Sequence, residues 1–223
     1  MEKIVIANLK MNLNLEEVKN YIEKIKNKKV IICPTAIYAT YFIENEIMTG
    51  IQNVYTEDKG AFTGEISSLQ VKSLGISYVI IGHSERRRIF KEDNELINEK
   101  IKTALRNNLK VIFCVGEDLT EDYRKVLKTQ ITEGLKDVSE EVIIAYEPVW
   151  SIGTGKIPIN EDITQRTNFI KSLLNYDVKV LYGGSVNNTN IATLEEIKEI
   201  SGYLIGTASL DVNELINIIE VVQ

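Results

Sequence analysis

Eight short runs rich in β-branched and apolar residues recur from one end of the chain to the other, at 4–7, 30–33, 51–54, 78–81, 111–115, 142–146, 178–182 and 203–205. They alternate with longer segments of helical periodicity. In the first connection Leu15, Val18, Ile22 and Ile25 fall on one helical face behind Asn14, with Glu17 three residues on, the pattern of a capping box. Further stripes run through Leu96, Ile97, Ile101, Ala104 and Leu105, through Tyr123, Val126, Leu127, Ile131 and Leu135, and through Ile163, Thr167, Ile170 and Leu174. The last helix carries Val212, Leu215, Ile216, Ile219 and Val222. Nearly continuous apolar strands such as Val79-Ile80-Ile81 imply burial on both faces, and βαβ repetition gives a parallel sheet with helices outside it. Eight such units predict closure into a (β/α)8 barrel spanning 1–223 as one domain, with no linker or low-complexity tract to divide it. An open doubly wound sheet is the alternative, but no Gly-x-Gly-x-x-Gly follows the first strand.

In such a barrel the reacting groups come from the C-terminal ends of the strands. Polar residues placed directly after the apolar runs are therefore the candidates: Asn8 and Lys10, the segment Gly82-His83-Ser84-Glu85, Glu147 with Pro148, Gly183-Gly184-Ser185, and Gly206 with Thr207. Each alone reads as an ordinary rim or turn residue. Together they put a cation, an imidazole, a carboxylate and two Gly-bearing turns around one rim. A carboxylate can carry a proton between adjacent carbons while a neutral imidazole and an ammonium stabilise the oxygen charge that develops. The turns after strands seven and eight occupy the usual phosphate position of a barrel. The pattern fits proton transfer on a small phosphorylated sugar. The stretch Ile152-Gly153-Thr154-Gly155-Lys156 fails as a phosphate-binding P-loop, because Trp150 and Ile157 stand where Gly and Ser or Thr are needed. It reads instead as a mobile lid.

Net charge of −6 with interspersed signs argues against nucleic acid as a partner. Cys33 and Cys114 belong to no Cys-x-x-Cys pair and are expected to be buried, reduced thiols. With a single histidine and no Cys/His cluster, no metal is expected. Neither a signal peptide nor a membrane-spanning run is evident, so the cytoplasm is the default location.

Five stretches, in this order along the chain, carry a resemblance to the triosephosphate isomerases: residues 8–12 (NLKMN), 60–65 (GAFTGE), 78–87 (YVIIGHSERR), 145–156 (AYEPVWSIGTGK) and 182–186 (YGGSV). The resemblance implies interconversion of dihydroxyacetone phosphate and glyceraldehyde 3-phosphate without a cofactor, the isomerase step of glycolysis and gluconeogenesis. It assigns Glu147 as base, His83 as electrophile, Lys10 as electrostatic stabiliser, Asn8 as a supporting polar residue and Glu85 as a further carboxylate of the site. Gly153, Ser185, Gly206 and Thr207 match the phosphate-binding positions. Pro148, Val149 and Trp150 match the front hinge of the lid, and Lys156, Ile157 and Pro158 its rear hinge; the Trp150 indole is implied to contact Glu117 while the lid is open. The loop at 55–65, with Thr63, Gly64 and Glu65, matches the segment that inserts beside a neighbouring subunit's site, which implies a homodimer. A monomer with that loop folded back is the alternative.

Four positions depart from the family pattern. Leu9 stands in place of Trp, and Ser151 in place of Ala. Thr207 replaces the second of two glycines and so needs room for its side chain and a φ that permits one. Pro158 has no N–H to give to the hydroxyl of Tyr182, so closure is expected to lose that bond and to rely on Ser185. The chain is also shorter than the roughly 250 residues usual for this barrel, which implies trimmed helices and connections. The run Arg86-Arg87-Arg88 and the pair Lys28-Lys29 read as helix-start pairing and solvated surface. Another phosphosugar isomerase or epimerase, or a catalytically silent phosphate-binding barrel, would share the fold.

Overall fold

The computed structural model describes residues 3–223; Met1 and Glu2 lie outside the described residues. Eight strands, β1 (Ile4–Asn8), β2 (Ile31–Cys33), β3 (Gly50–Ile51), β4 (Tyr78–Ile81), β5 (Lys110–Val115), β6 (Ile143–Tyr146), β7 (Val180–Tyr182) and β8 (Gly202–Ile205), form one sheet. Every ladder is parallel, in the order β2-β1-β8-β7-β6-β5-β4-β3. The ends of that order meet at a single bridge, Ile32 to Thr49, with the Ile32 N–H donating to Met48 O at 2.9 Å. The sheet is thereby closed into the (β/α)8 barrel.

Helices α1 (Leu15–Ile25), α2 (Ala39–Glu44), α3 (Ser68–Ser73), α4 (Ser84–Ile89), α5 (Asn94–Arg106), α6 (Tyr123–Gly134), α7 (Asn160–Ser172), α8 (Ile191–Leu194) and α9 (Val212–Val222) occupy the connections. Several are short: α2 and α3 have six residues each and α8 four.

Alternation along each strand explains why both faces are apolar. Ile6, Ile31, Ile80, Ile112, Ala145, Leu181 and Leu204 fill the barrel interior together with Cys33 and Cys114, both free thiols. Their neighbours Val5, Ala7, Val79, Ile81 and Val111 face the helices in a second, larger cluster. The registers Ile6 with Leu204, Ile80 with Ile112, and Cys114 with Ala145 hold the inward residues level across adjacent strands.

The expected capping box of α1 forms: the Asn14 side chain accepts from the Glu16 and Glu17 N–H groups, and Glu17 accepts the Asn14 N–H at 2.7 Å. Leu15, however, is exposed, and Tyr21 takes its place on the buried face. The Tyr21 hydroxyl donates to Ser209 O at 2.8 Å, tying α1 to the turn after β8. Two strands are shorter than their apolar runs. Val54 is buried but outside the ladder, where the backbone has left the sheet and the next N–H, of Tyr55, donates to Ile66 O at 2.8 Å. Val178 is likewise buried outside its ladder, its N–H held by Tyr176 O at 2.8 Å.

Candidate active site

The C-terminal ends of β1, β4, β6, β7 and β8 surround a cleft of about 240 Å³. Asn8, Lys10, His83, Glu147, Gly153, Ser185, Gly206 and Thr207 all line it. Lys10 sits in the left-handed region at φ 53°, a conformation that costs a lysine on the order of 1 kcal/mol and persists only when its surroundings impose it. Those surroundings are explicit. Asn8 Oδ1 accepts the Lys10 N–H at 3.1 Å, and the Lys10 carbonyl accepts from Thr35 Oγ1 at 3.1 Å and Gln52 Nε2 at 2.7 Å. The lysine's Nζ lies 2.6 Å from Glu85 Oε1.

His83 caps α4: its Nδ1 accepts the Glu85 N–H at 3.3 Å. A nitrogen that accepts carries no proton, so the ring proton is on Nε2, which lies 3.1 Å from Glu147 Oε1. The other Glu147 oxygen accepts the Ser84 N–H at 3.0 Å. Glu147 is therefore held by both oxygens, buried to 2% exposure. Burial opposes its charge, but His83, the Ser84 amide and Lys10 outweigh it and keep the carboxyl below the ordinary glutamate range. At His83 burial disfavours the imidazolium, yet the facing Glu147 and Glu85 carboxylates prevail and raise its pKa. The Glu85 N–H aimed at Nδ1 must be displaced before a second proton can bind there.

Close packing around Glu147 leaves no room for a side chain at Gly116 and little at Gly183. A Cβ on Gly116 would stand 1.6 Å from the Glu147 carbonyl oxygen, and one on Gly183 would meet the Glu147 side chain at 3.0 Å.

The 148–158 loop leaves β6 through the one-turn helix Val149–Ser151, anchored by the Val149 N–H on Glu117 O at 3.0 Å. Its tip holds Gly153 and Gly155 at φ 68° and 74°, both exposed. Ser151 is fully buried; its hydroxyl donates to Lys156 O at 2.6 Å and accepts the Ser185 N–H at 3.3 Å. Pro158 is buried, Lys156 and Ile157 are exposed, and the Tyr182 hydroxyl is buried with no hydrogen-bond partner. Thr207 meets both of its requirements: it is absent from the positive-φ residues, and it is exposed at the start of the turn Thr207–Leu210.

Not every expectation converges here. Glu117 takes the Tyr146 hydroxyl at 2.9 Å on one oxygen and has no partner on the other, so the Trp150 indole makes no hydrogen bond to it. Thr63, Gly64 and Glu65, expected beside a second copy's site and not in this one, stand exposed and outside the cleft lining. The three consecutive arginines divide between pairing and solvated surface, as expected. Arg86 pairs with buried Glu92 at 2.6 Å, and Arg87 donates to Gly82 O at 2.9 Å and to Asn94 Oδ1 at 2.6 Å; Arg88 is exposed. Sequence reasoning also missed Gln52, Thr35 and the Ser84 amide, and the carboxylate Glu214 on the cleft wall. Gln52 directly follows β3 and obeys the rule that found the others; reading the third strand through to residue 54 concealed it.

A family model described as triosephosphate isomerase matches residues 3–222. Among curated proteins, the chain is similar to triosephosphate isomerases of Finegoldia magna, at 41% identity over 95% of each chain, and Dictyoglomus thermophilum, at 40% over 98% of each. That of Thermodesulfovibrio yellowstonii is 38% identical over 94% of this chain and 95% of its own.

Proposed function

We propose, on the premise that this chain belongs to the triosephosphate isomerase family, how its cleft interconverts dihydroxyacetone phosphate and glyceraldehyde 3-phosphate. The two isomers differ by one proton moved from C1 to C2 and one moved between the adjoining oxygens. Glu147 is the group that carries the carbon-bound proton. His83 donates Nε2–H to the carbonyl oxygen and then serves the two oxygens in turn, and Lys10 holds the negative charge of the enediolate. Asn8 fixes the Lys10 backbone, and Glu85 holds both the Lys10 ammonium and, through its N–H, the His83 tautomer. The observation that carries this reading is the facing of Glu147 Oε1 and His83 Nε2 at 3.1 Å inside the cleft that Lys10 also lines.

Substrate must replace Glu147 on His83. As the carboxylate turns from Nε2 and the Ser84 amide toward carbon, the ring loses the charge that raises its pKa. Burial then favours the neutral imidazole, which is the form able to donate and recover one proton. The phosphate is held by the backbone N–H groups of Gly153, Ser185, Gly206 and Thr207, with the 148–158 loop closing as a lid hinged at Pro148, Val149 and Trp150 in front and Lys156, Ile157 and Pro158 behind. Neither metal nor cofactor is required by this chemistry.

A coupled assay with glyceraldehyde 3-phosphate tests the reading. Glu147→Gln is expected to lower turnover by about 10²–10⁴-fold while inorganic phosphate still competes. Unimpaired turnover in that variant removes Glu147 from the role, and turnover of larger phosphosugars instead of trioses replaces the substrate.

The protein further acts as a homodimer in the cytoplasm, with the exposed tip at Thr63, Gly64 and Glu65 entering a second copy. Exposed Phe62 beside that tip supports this assembly. Light scattering that gives one chain's mass, 25.3 kDa, at micromolar concentration overturns it. No helix among the described residues is long and apolar enough to cross a membrane.

A further inference from the structure

Ser151 joins three parts of the cleft that otherwise have no common member. It lies in the front of the 148–158 loop, its hydroxyl proton goes to Lys156 O at the rear of the same loop, and its oxygen accepts the Ser185 N–H of the turn after β7. The side chain is wholly buried. Beside it is the Tyr182 hydroxyl, buried and in no hydrogen bond of good geometry, yet near enough to Ser151 for the serine hydroxyl to offset part of the rise that burial gives the tyrosine's pKa. That hydroxyl packs so closely on the backbone before Ser185 that a Cβ on Gly184 would stand 2.2 Å from it. A buried hydroxyl with no partner costs about 1–3 kcal/mol, so an arrangement that satisfies it is favoured whenever one is within reach.

With its one proton given to Lys156 O, the Ser151 oxygen serves the Ser185 N–H as acceptor and can serve the Tyr182 hydroxyl in its place. The Ser185 N–H is also one of the groups required by the phosphate, at 3.3 Å from an acceptor it can leave. We propose that Ser151 is a positioning residue coupling phosphate occupancy to closure of the lid: in the empty site it holds the Ser185 N–H, and when that N–H turns to phosphate the Ser151 oxygen accepts the Tyr182 hydroxyl instead. Through its bond to Lys156 O, the exchange fixes both ends of the lid relative to the phosphate turn. Pro158, which offers no N–H, leaves the tyrosine dependent on this oxygen.

The inference rests on the triosephosphate reading, and two experiments keep the two apart. The first is kinetic, with wild type, Ser151→Ala, Tyr182→Phe and the double variant on glyceraldehyde 3-phosphate. Each single variant is expected to lose about three- to tenfold in kcat, the worth of one neutral hydrogen bond, and the double variant no more than about twofold beyond either. Inhibition by inorganic phosphate should stay within about twofold in Ser151→Ala, since that variant frees the Ser185 N–H. Losses that multiply, a Ser151→Ala enzyme with undiminished kcat, or phosphate binding that falls in step with kcat overturn the proposal. The second needs no turnover. In ¹H–¹⁵N spectra, inorganic phosphate should shift the Ser185 amide of the wild type, and Ser151→Ala alone should move it in the empty protein. A Ser185 amide indifferent to either change overturns the proposal whatever the enzyme isomerises.

Discussion

His83 shows how much one side chain's role depends on two contacts that sequence does not encode. Its position after the fourth apolar run was legible, because a polar residue there must face the rim. Its tautomer was not, since that follows from the Glu85 N–H on Nδ1, a local turn geometry. The facing carboxylate gives a signed expectation. Because Glu147 raises the His83 pKa, Glu147→Gln should lower it, and the lone imidazole makes the ¹⁵N titration free of overlap. An unchanged or raised value would mean that the pair does not interact as described. Glu214 offers a second test at this scale. It lines the cleft near the phosphate turns and accepts the Asn188 N–H at 3.2 Å. A partly exposed carboxylate facing a dianion costs a few tenths of a kcal/mol, so Glu214→Gln, which keeps an acceptor, should lower KM about two- to threefold. The effect should shrink as salt is added; a salt-independent KM would show the repulsion to be absent.

Among the elements, α5 carries the feature its periodicity concealed. The apolar stripe of Ile97, Ile101 and Ala104 is buried as expected, but Asn98, Lys100 and Thr103 are buried too. Lys100 Nζ meets Glu92 Oε1 at 2.5 Å and Asn53 Oδ1 at 3.0 Å, and the same Glu92 oxygen receives Arg86. A lysine in a helix reads as solvent-facing until its partner on another segment is known, and Glu92, Asn53 and Arg86 come from three different segments. Removing Glu92 strands a buried ammonium, so Glu92→Gln should cost about 3 kcal/mol in urea unfolding. Lys100→Met, which leaves Glu92 with Arg86, should cost less. Equal costs would count against a shared carboxylate. The pinning of Lys10 was hidden for a related reason: Gln52 acts on it from 42 positions away through a backbone carbonyl, which side-chain identity at residue 10 does not reveal.

At the scale of the molecule, order and number of strands were legible because eight two-sided apolar runs allow few other solutions, and the ladders follow that order. Their lengths were less so, because Val54 and Val178 are apolar for packing and not for pairing. The circular order also bears on how the chain is made. The strand at Ile4–Asn8 lies between Ile31–Cys33 and Gly202–Ile205, so one of its partners is made soon after it and the other only about 200 residues later. At about 5–20 residues per second, the intervening ~200 residues take roughly 10–40 s to emerge. For that interval a row of free N–H and C=O groups on the first strand has no native mate, and it stands open to pairing with another nascent chain. That open edge is expected to need shielding on the ribosome until residues 202–205 emerge. Nascent chains halted before residue 202 should be captured by chaperones and cut by protease, and those halted well beyond residue 205 should resist both.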